Sequence, residues 1–190
     1  VCSVGLCVDG NRFVRSEHVE KKHNERLLPM LGGLLDDAGL GRQDLLTLLD
    51  VVAFGRGPGS FTGIRIAASA AQAIAFAAGA DMARVSSSEA MARAAVQQHP
   101  DVDGVVTAIR SRRDLYYLAG YQRSPEGVSV RQADLLADVP PGFDDDLSNW
   151  PLVGECPPWW SGPVAAIEPP DAGVLLVIAG ELAARGECVD

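Results

Sequence analysis

The stretch GRGPGSFTGIRIAASAAQAIAFAAG, residues 55–79, constrains the fold more than any other part of this chain. An apolar run, LDVVAF, leads into closely spaced glycines around Pro58, and a nearly unbroken run of small residues follows. Apolar strand, glycine turn and long helix in that order form a βα unit, which places a sheet with flanking helices at the centre of the fold. A helix this rich in alanine is narrow, so a neighbour can approach it closely. The loop admits three readings. A phosphate cradle needs backbone N–H groups converging on one point, and Gly57, Gly59, Ser60, Thr62 and Gly63 have that character ahead of a helix. A Walker A loop is excluded because Ile64 follows Gly63 where lysine is required. The dinucleotide fingerprint fails at Thr62, and a nucleophile elbow around Ser60 fails at Pro58 and Thr62. Spacing leaves a tight turn into a buried helix standing beside a non-standard phosphate loop.

The flanking segments extend the α/β pattern. Val4, Leu6 and Val8 alternate with Ser3, Gly5 and Cys7, and Asp9-Gly10 signals a hairpin whose second strand runs Phe13 to Val19. Leu27, Leu28, Met30, Leu31, Leu34, Leu35 and Ala38 recur at helical spacing, with Asn24 as N-cap and Gly39 as stop. Pro29 points to a helix start later than Asn24. The Gly32-Gly33 step thins one flank of this helix. A short strand and a helix capped by serine and Glu89 follow the alanine run, and Val105–Ile109 with Leu115–Tyr121 read as a second hairpin. Ser124 to Gly173 is rich in proline, glycine and aspartate, and the C-terminal segment holds a helix and a strand fragment. The shift in composition near residues 100–104 divides the chain into a first lobe, 1–100, and a smaller second lobe, 101–190.

Apolar residues make up 47% of the 190, enough for a substantial core. The richest apolar stretch, Ala67 to Ala80, is interrupted by Ser69 and Gln72 and falls short of the roughly 18 residues a membrane span needs. Cys2, Cys7, Cys156 and Cys188 form no CxxC, consistent with reduced thiols in a cytoplasmic protein. The net charge of −9 argues against unaided nucleic-acid binding. The one tight basic cluster is Arg110-Ser111-Arg112-Arg113.

No catalytic set emerges. His18, His23 and His99 are not spaced as paired metal ligands, and Ser60 lacks an identifiable base. Ser86-Ser87-Ser88 reads as a helix cap, and Trp159-Trp160 as packing rather than a base-stacking platform.

Residues 55–92, GRGPGSFTGIRIAASAAQAIAFAAGADMARVSSSEAMA, closely resemble the signature of the TsaB (YeaZ) family, GPGSFTGLRIG…AKGLA…VSSLEALA. HNERLLPML resembles that family's HSExLLPxI, SRRDLYYLAGY loosely its DARMxEVYxxxY, and WPLVGECPPWW its lvGxGw segment. Departures are Gln72 for the lysine of AKGLA, Ala67 for the glycine after LRI, and Arg110-Ser111-Arg112 for DAR; the family's LAIDTS strand is not in this sequence. The resemblance implies an actin-like (ASKHA, ribonuclease H-like) α/β fold of mixed sheets with flanking helices in two lobes. It further implies a non-catalytic scaffold or activator for N6-threonylcarbamoyladenosine formation beside the tRNA anticodon. The implied partners are a TsaD-type catalytic subunit and a TsaE-type ATPase, with homodimers in isolation, tRNA met only through the complex, and no membrane. No cofactor is expected on this chain alone; ATP and magnesium belong to the complex. The expected association surface combines Leu27, Leu28, Leu31, Gly32, Gly33 and Leu35 with Ala67 and Ala71. The glycine loop keeps an actin-like phosphotransferase or ATPase in view, and the wider glycoprotease relationship a peptidase.

Overall fold

A computed structural model describes residues 2–18 and 23–189. Val1 and Val19, at the ends of predicted strands, lie outside them. The described elements are β1 (Cys2–Val8), β2 (Asn11–Glu17), α1 (His23–Asp37), α2 (Arg42–Leu48), β3 (Val51–Gly57), α3 (Phe61–Ala78) and β4 (Asp81–Ser86). There follow α4 (Ser87–Gln98), β5 (Gly104–Arg112), β6 (Leu115–Ser124), β7 (Gly127–Ala137), α5 (Asp145–Asn149), β8 (Leu152–Gly154) and α6 (Ala172–Ala184).

The chain divides into two compact units, and not at residue 100. One comprises the described residues of Val1–Arg56, Phe61–Val85 and Pro170–Asp190; the other comprises Gly57–Ser60 and Ser86–Pro169. The predicted boundary fails because α6 follows the Pro-rich segment in sequence but packs on β1 and β2 of the first unit. Gly5 permits that contact: a Cβ there would lie 3.0 Å from Leu176 Cδ1 and 3.1 Å from Ala172 Cβ.

In the first unit β1 and β2 pair antiparallel from Cys2↔Glu17 to Val8↔Asn11. Positive φ at Asp9 (49°) and Gly10 (78°) makes the primed turn that the Asp-Gly pair predicts. A second two-stranded sheet joins β3 to β4, with α3 as the crossover. The core on the α1 side is Leu6, Leu34 and Leu35, with Val4, Phe13, Leu31, Leu45 and Leu49 packed around it. Helix α1 starts by His23, so Asn24 lies inside it, and it runs through Pro29 rather than beginning later. It ends where glycine predicts. Gly39 (φ 68°) donates to Asp36 O at 3.1 Å and Leu40 to Leu35 O at 2.9 Å, a Schellman closure.

Helix α3 spans 18 residues and, by length and composition alone, is long and apolar enough to cross a membrane, contrary to the sequence expectation. Ser69 and Gln72 do not interrupt it, because a helix tolerates isolated polar residues on its outer face. Its setting is a strand-to-strand crossover packed against α1 and α2.

The second unit is a four-stranded sheet ordered β7-β6-β5-β8, with β5–β6 and β6–β7 antiparallel and β5–β8 parallel. Ser86 caps α4, its Oγ accepting from Glu89 N at 3.4 Å. Ala92, Ala95 and Val96 of α4 pack on Val105, Ala119, Tyr121 and Val153. On the other face Val106, Leu118, Leu147 and Leu152 meet Trp159 and Trp160. The two indoles stack edge-on, Trp159 against Tyr116 and Trp160 against Phe143, as packing residues do.

Candidate functional site

Two ion pairs of opposite polarity clamp α1 across the β1–β2 hairpin. Arg15 of β2 donates Nε and Nη2 to the two Asp37 oxygens at 2.6 and 2.7 Å. Arg26 of α1 donates the same two nitrogens to Glu17 of β2 at 2.8 and 2.7 Å. Bidentate pairing fixes geometry as well as distance. The guanidinium hydrogen bonds hold the Asp37 and Glu17 carboxyls below their ordinary values. Sequence reasoning missed both clamps, since nothing in the spacing links positions 15 and 37.

Clamped this way, α1 buries Met30, Leu34 and Leu35 and turns Leu28 outward, 66% exposed. Leu27, Leu31, Gly32 and Gly33 are half-buried. Gly32 lies one turn beyond Leu28, and a Cβ there would meet nothing within 4 Å. Gly33 differs sharply: its missing side chain makes room for the Arg15 guanidinium, which a Cβ would strike. Gly33 therefore serves the α1–β2 clamp, and Leu35 belongs to the core, which removes it from the expected surface.

Helix α3 shows the same division. Ala71 and Ala75, one turn apart, are buried and Ala67 is half-buried, so Ala71 also leaves the expected surface for the interior. Phe61, Arg65, Ser69, Gln72 and Phe76 form an exposed stripe at positions i, i+4, i+8, i+11 and i+15 along the whole helix. Phe61 is 68% exposed, with the Arg65 guanidinium carbon 3.7 Å from its ring centroid, and Phe76 is 93% exposed. A phenylalanine open to solvent at each end of an alanine helix is an uncovered apolar surface. Sequence reasoning overlooked both, although a lone aromatic among small residues was the available signal. Helices α1 and α3 touch each other, and each leaves apolar side chains uncovered.

The glycine loop is a strand-to-helix connection. Gly57, at the end of β3, is buried with φ 93°, where an L side chain is strained, and its bond to Pro58 is cis. Gly59 and Ser60 are exposed, and Thr62 and Gly63 already lie in the first turn of α3. Among the described residues no three His, Cys, Asp or Glu side chains gather as a metal-holding group. His99 hydrogen-bonds Ala166 O at 2.8 Å, a structural latch.

These features were compared with known proteins. Residues 14–137 match the family model "TsaD: tRNA N6-adenosine threonylcarbamoyltransferase". A solved structure described as YeaZ from Pseudomonas aeruginosa aligns with all of this chain and 90% of its own, at 32% identity and a TM-score of 0.83. The chain belongs to the TsaB (YeaZ) family. A second structure, described as an uncharacterized protein with similarity to peptidase YEAZ from Pseudomonas aeruginosa, aligns at 34% identity and a TM-score of 0.85 over 99% of this chain and 89% of that one. The fold is accordingly the mixed α/β, actin-like kind. Curated relatives named tRNA threonylcarbamoyladenosine biosynthesis protein TsaB include that of Haemophilus influenzae, 41% identical over 62% of this chain and 48% of that protein. That of Escherichia coli is 38% identical over 67% of this chain and 53% of that protein. The chain thus spans about half the length of the curated relatives it matches.

Proposed function

We propose that this chain acts in tRNA N6-threonylcarbamoyladenosine biosynthesis as a non-catalytic scaffold that binds and activates a TsaD-type catalytic subunit, together with a TsaE-type ATPase. The observation that carries the reading is the uncovered apolar surface of two touching helices, Leu28 beside the open Gly32 step on α1 and the Phe61-to-Phe76 stripe on α3. Solvent-exposed leucine on the clamped α1 and phenylalanine on α3 suit a helical partner, which a narrow alanine helix lets approach closely. The names of the curated relatives supply the pathway. On this reading the chain works in the cytoplasm, self-associates through the same helices when alone, and meets tRNA only in the complex. ATP and magnesium belong to the complex.

The test is reconstitution. The chain is mixed with its TsaD-type and TsaE-type counterparts, threonylcarbamoyladenosine is quantified, and each component is omitted in turn. Modification that needs this chain, with no ATP turnover by the chain alone, supports the proposal. Full modification without it, or magnesium-dependent ATP hydrolysis by the purified chain, overturns it.

A further inference from the structure

The β5–β6 hairpin carries the chain's densest positive charge at its tip, and its arginines fall into two kinds. Arg110 is occupied: its Nε donates to Arg113 O at 2.8 Å, across the turn, and its guanidinium carbon sits 6.0 Å from the Tyr116 ring centroid. The pairing register slips between Arg110 and Arg112, and Arg113 takes φ 47°, so the turn departs from a regular hairpin. Arg112 and Arg113 are exposed, and among the described residues neither has an ion-pair partner. They line a cavity of about 440 Å³ with Leu115 and the carboxylates Asp114 and Asp138. Four other arginines of this acidic chain, Arg15, Arg26, Arg93 and Arg185, each hold a carboxylate within 3.0 Å.

We infer that Arg112 and Arg113 contact the phosphodiester backbone of the RNA when the chain sits in its complex. The inference rests on the function proposed above. A guanidinium presents a planar pair of donors that matches phosphate oxygens, and two adjacent at a hairpin tip span successive phosphates. Asp114 and Asp138 decide between the sources of phosphate. Their negative charge repels a free nucleoside triphosphate drawn wholly into the cavity, whereas an RNA backbone touches the exposed tip and stays outside. With a net charge of −9 the rest of the surface adds little attraction, so the contact positions the RNA and carries no base specificity.

The experiment measures tRNA binding by the TsaD-type subunit alone, with this chain, and with its R112Q/R113Q variant, across salt concentrations. A second double variant, R12Q/R42Q, removes the same charge elsewhere, and circular dichroism confirms that both variants fold. The expected result is that wild-type chain tightens binding, while R112Q/R113Q weakens it about tenfold and lowers the log–log salt slope by about 1.5, the loss of two phosphate contacts. R12Q/R42Q leaves both unchanged. An unchanged slope in R112Q/R113Q, an equal loss in R12Q/R42Q, or, with ATP binding measured on the same samples, loss of ATP binding with tRNA binding intact overturns the inference alone. A wild-type chain that neither joins the TsaD-type subunit nor alters its tRNA binding overturns the inference and the proposed function together.

Discussion

Adjacent glycines at 32 and 33 look interchangeable in sequence and are opposites in the structure. Gly32 opens to empty space, while Gly33 stands against Arg15. The clamp under Gly33 sets a pH dependence. Asp37 titrates below its ordinary 3.8 because of the Arg15 hydrogen bonds. Its contribution is therefore fully present above that value and fades as pH falls through the lower, folded value. Asp37→Asn is expected to lower the thermal midpoint slightly at pH 7, as exposed pairs do, with the gap to wild type narrowing as pH falls below 3.8. A gap of constant size over that range assigns the effect elsewhere. Gly154 is more demanding. Its φ of 101° is foreign to L side chains, and a Cβ would strike Ala108 O and lie 2.9 Å from Met91 Sδ. Gly154→Ala is expected to cost about 2–3 kcal/mol, read as a fall of roughly 4–12 °C in thermal midpoint. An unchanged midpoint would show that the turn relaxes without cost. Neither constraint was legible in sequence, because each depends on a partner far along the chain.

Among the elements, legibility followed the length and regularity of the apolar pattern. The β1–β2 hairpin, α1, α3 and α4 were readable because alternation, heptad-like spacing and caps persist long enough to outweigh chance. Helix α2 was missed. Seven residues carry too little periodicity, and its start rests on one bond, Gly41 N donating to Asp44 Oδ2 at 2.7 Å. Strand β7 was missed for a different reason: two register shifts against β6 break its alternation, and Val130, Leu135 and Leu136 are all exposed. The sharpest prediction at this scale uses α1. Gly32→Arg places a long charged side chain beside Leu28, where space is free, and replaces a poor helix former with a good one. Folding stability is expected to be unchanged or higher by up to about 0.8 kcal/mol, while binding to the TsaD-type subunit is lost. Thermal melting and sedimentation read the two separately. A stable variant that still binds with wild-type affinity places the contact off this flank of α1.

For the whole molecule, the fold class was legible from one βα unit and its glycine signature, but the division into units was not. Composition changes near residue 100, while α6, after a long Pro-rich excursion, rejoins the first unit. Its helical pattern identified the element but not its partner. The same limit applied to the candidate site: of the residues expected at the surface of α1 and α3, Leu35 and Ala71 pack inward, while Phe61 and Phe76, which the pattern did not single out, point out. If the outward stripe serves both self-association and the TsaD-type subunit, the two complexes compete for it. Apparent affinity for that subunit should then weaken as the chain is concentrated above its own dimer constant, because only free monomer is competent to bind. Phe76→Ser should relieve neither complex selectively but weaken both. At 93% exposure the ring contributes little to the fold, so a change within about 0.5 kcal/mol in folding stability is expected. Sedimentation equilibrium of wild type and variant, alone and titrated with the partner, checks this directly. Loss of the homodimer with full retention of the heterodimer would mean two separate surfaces. Retention of both would move the association site away from α3.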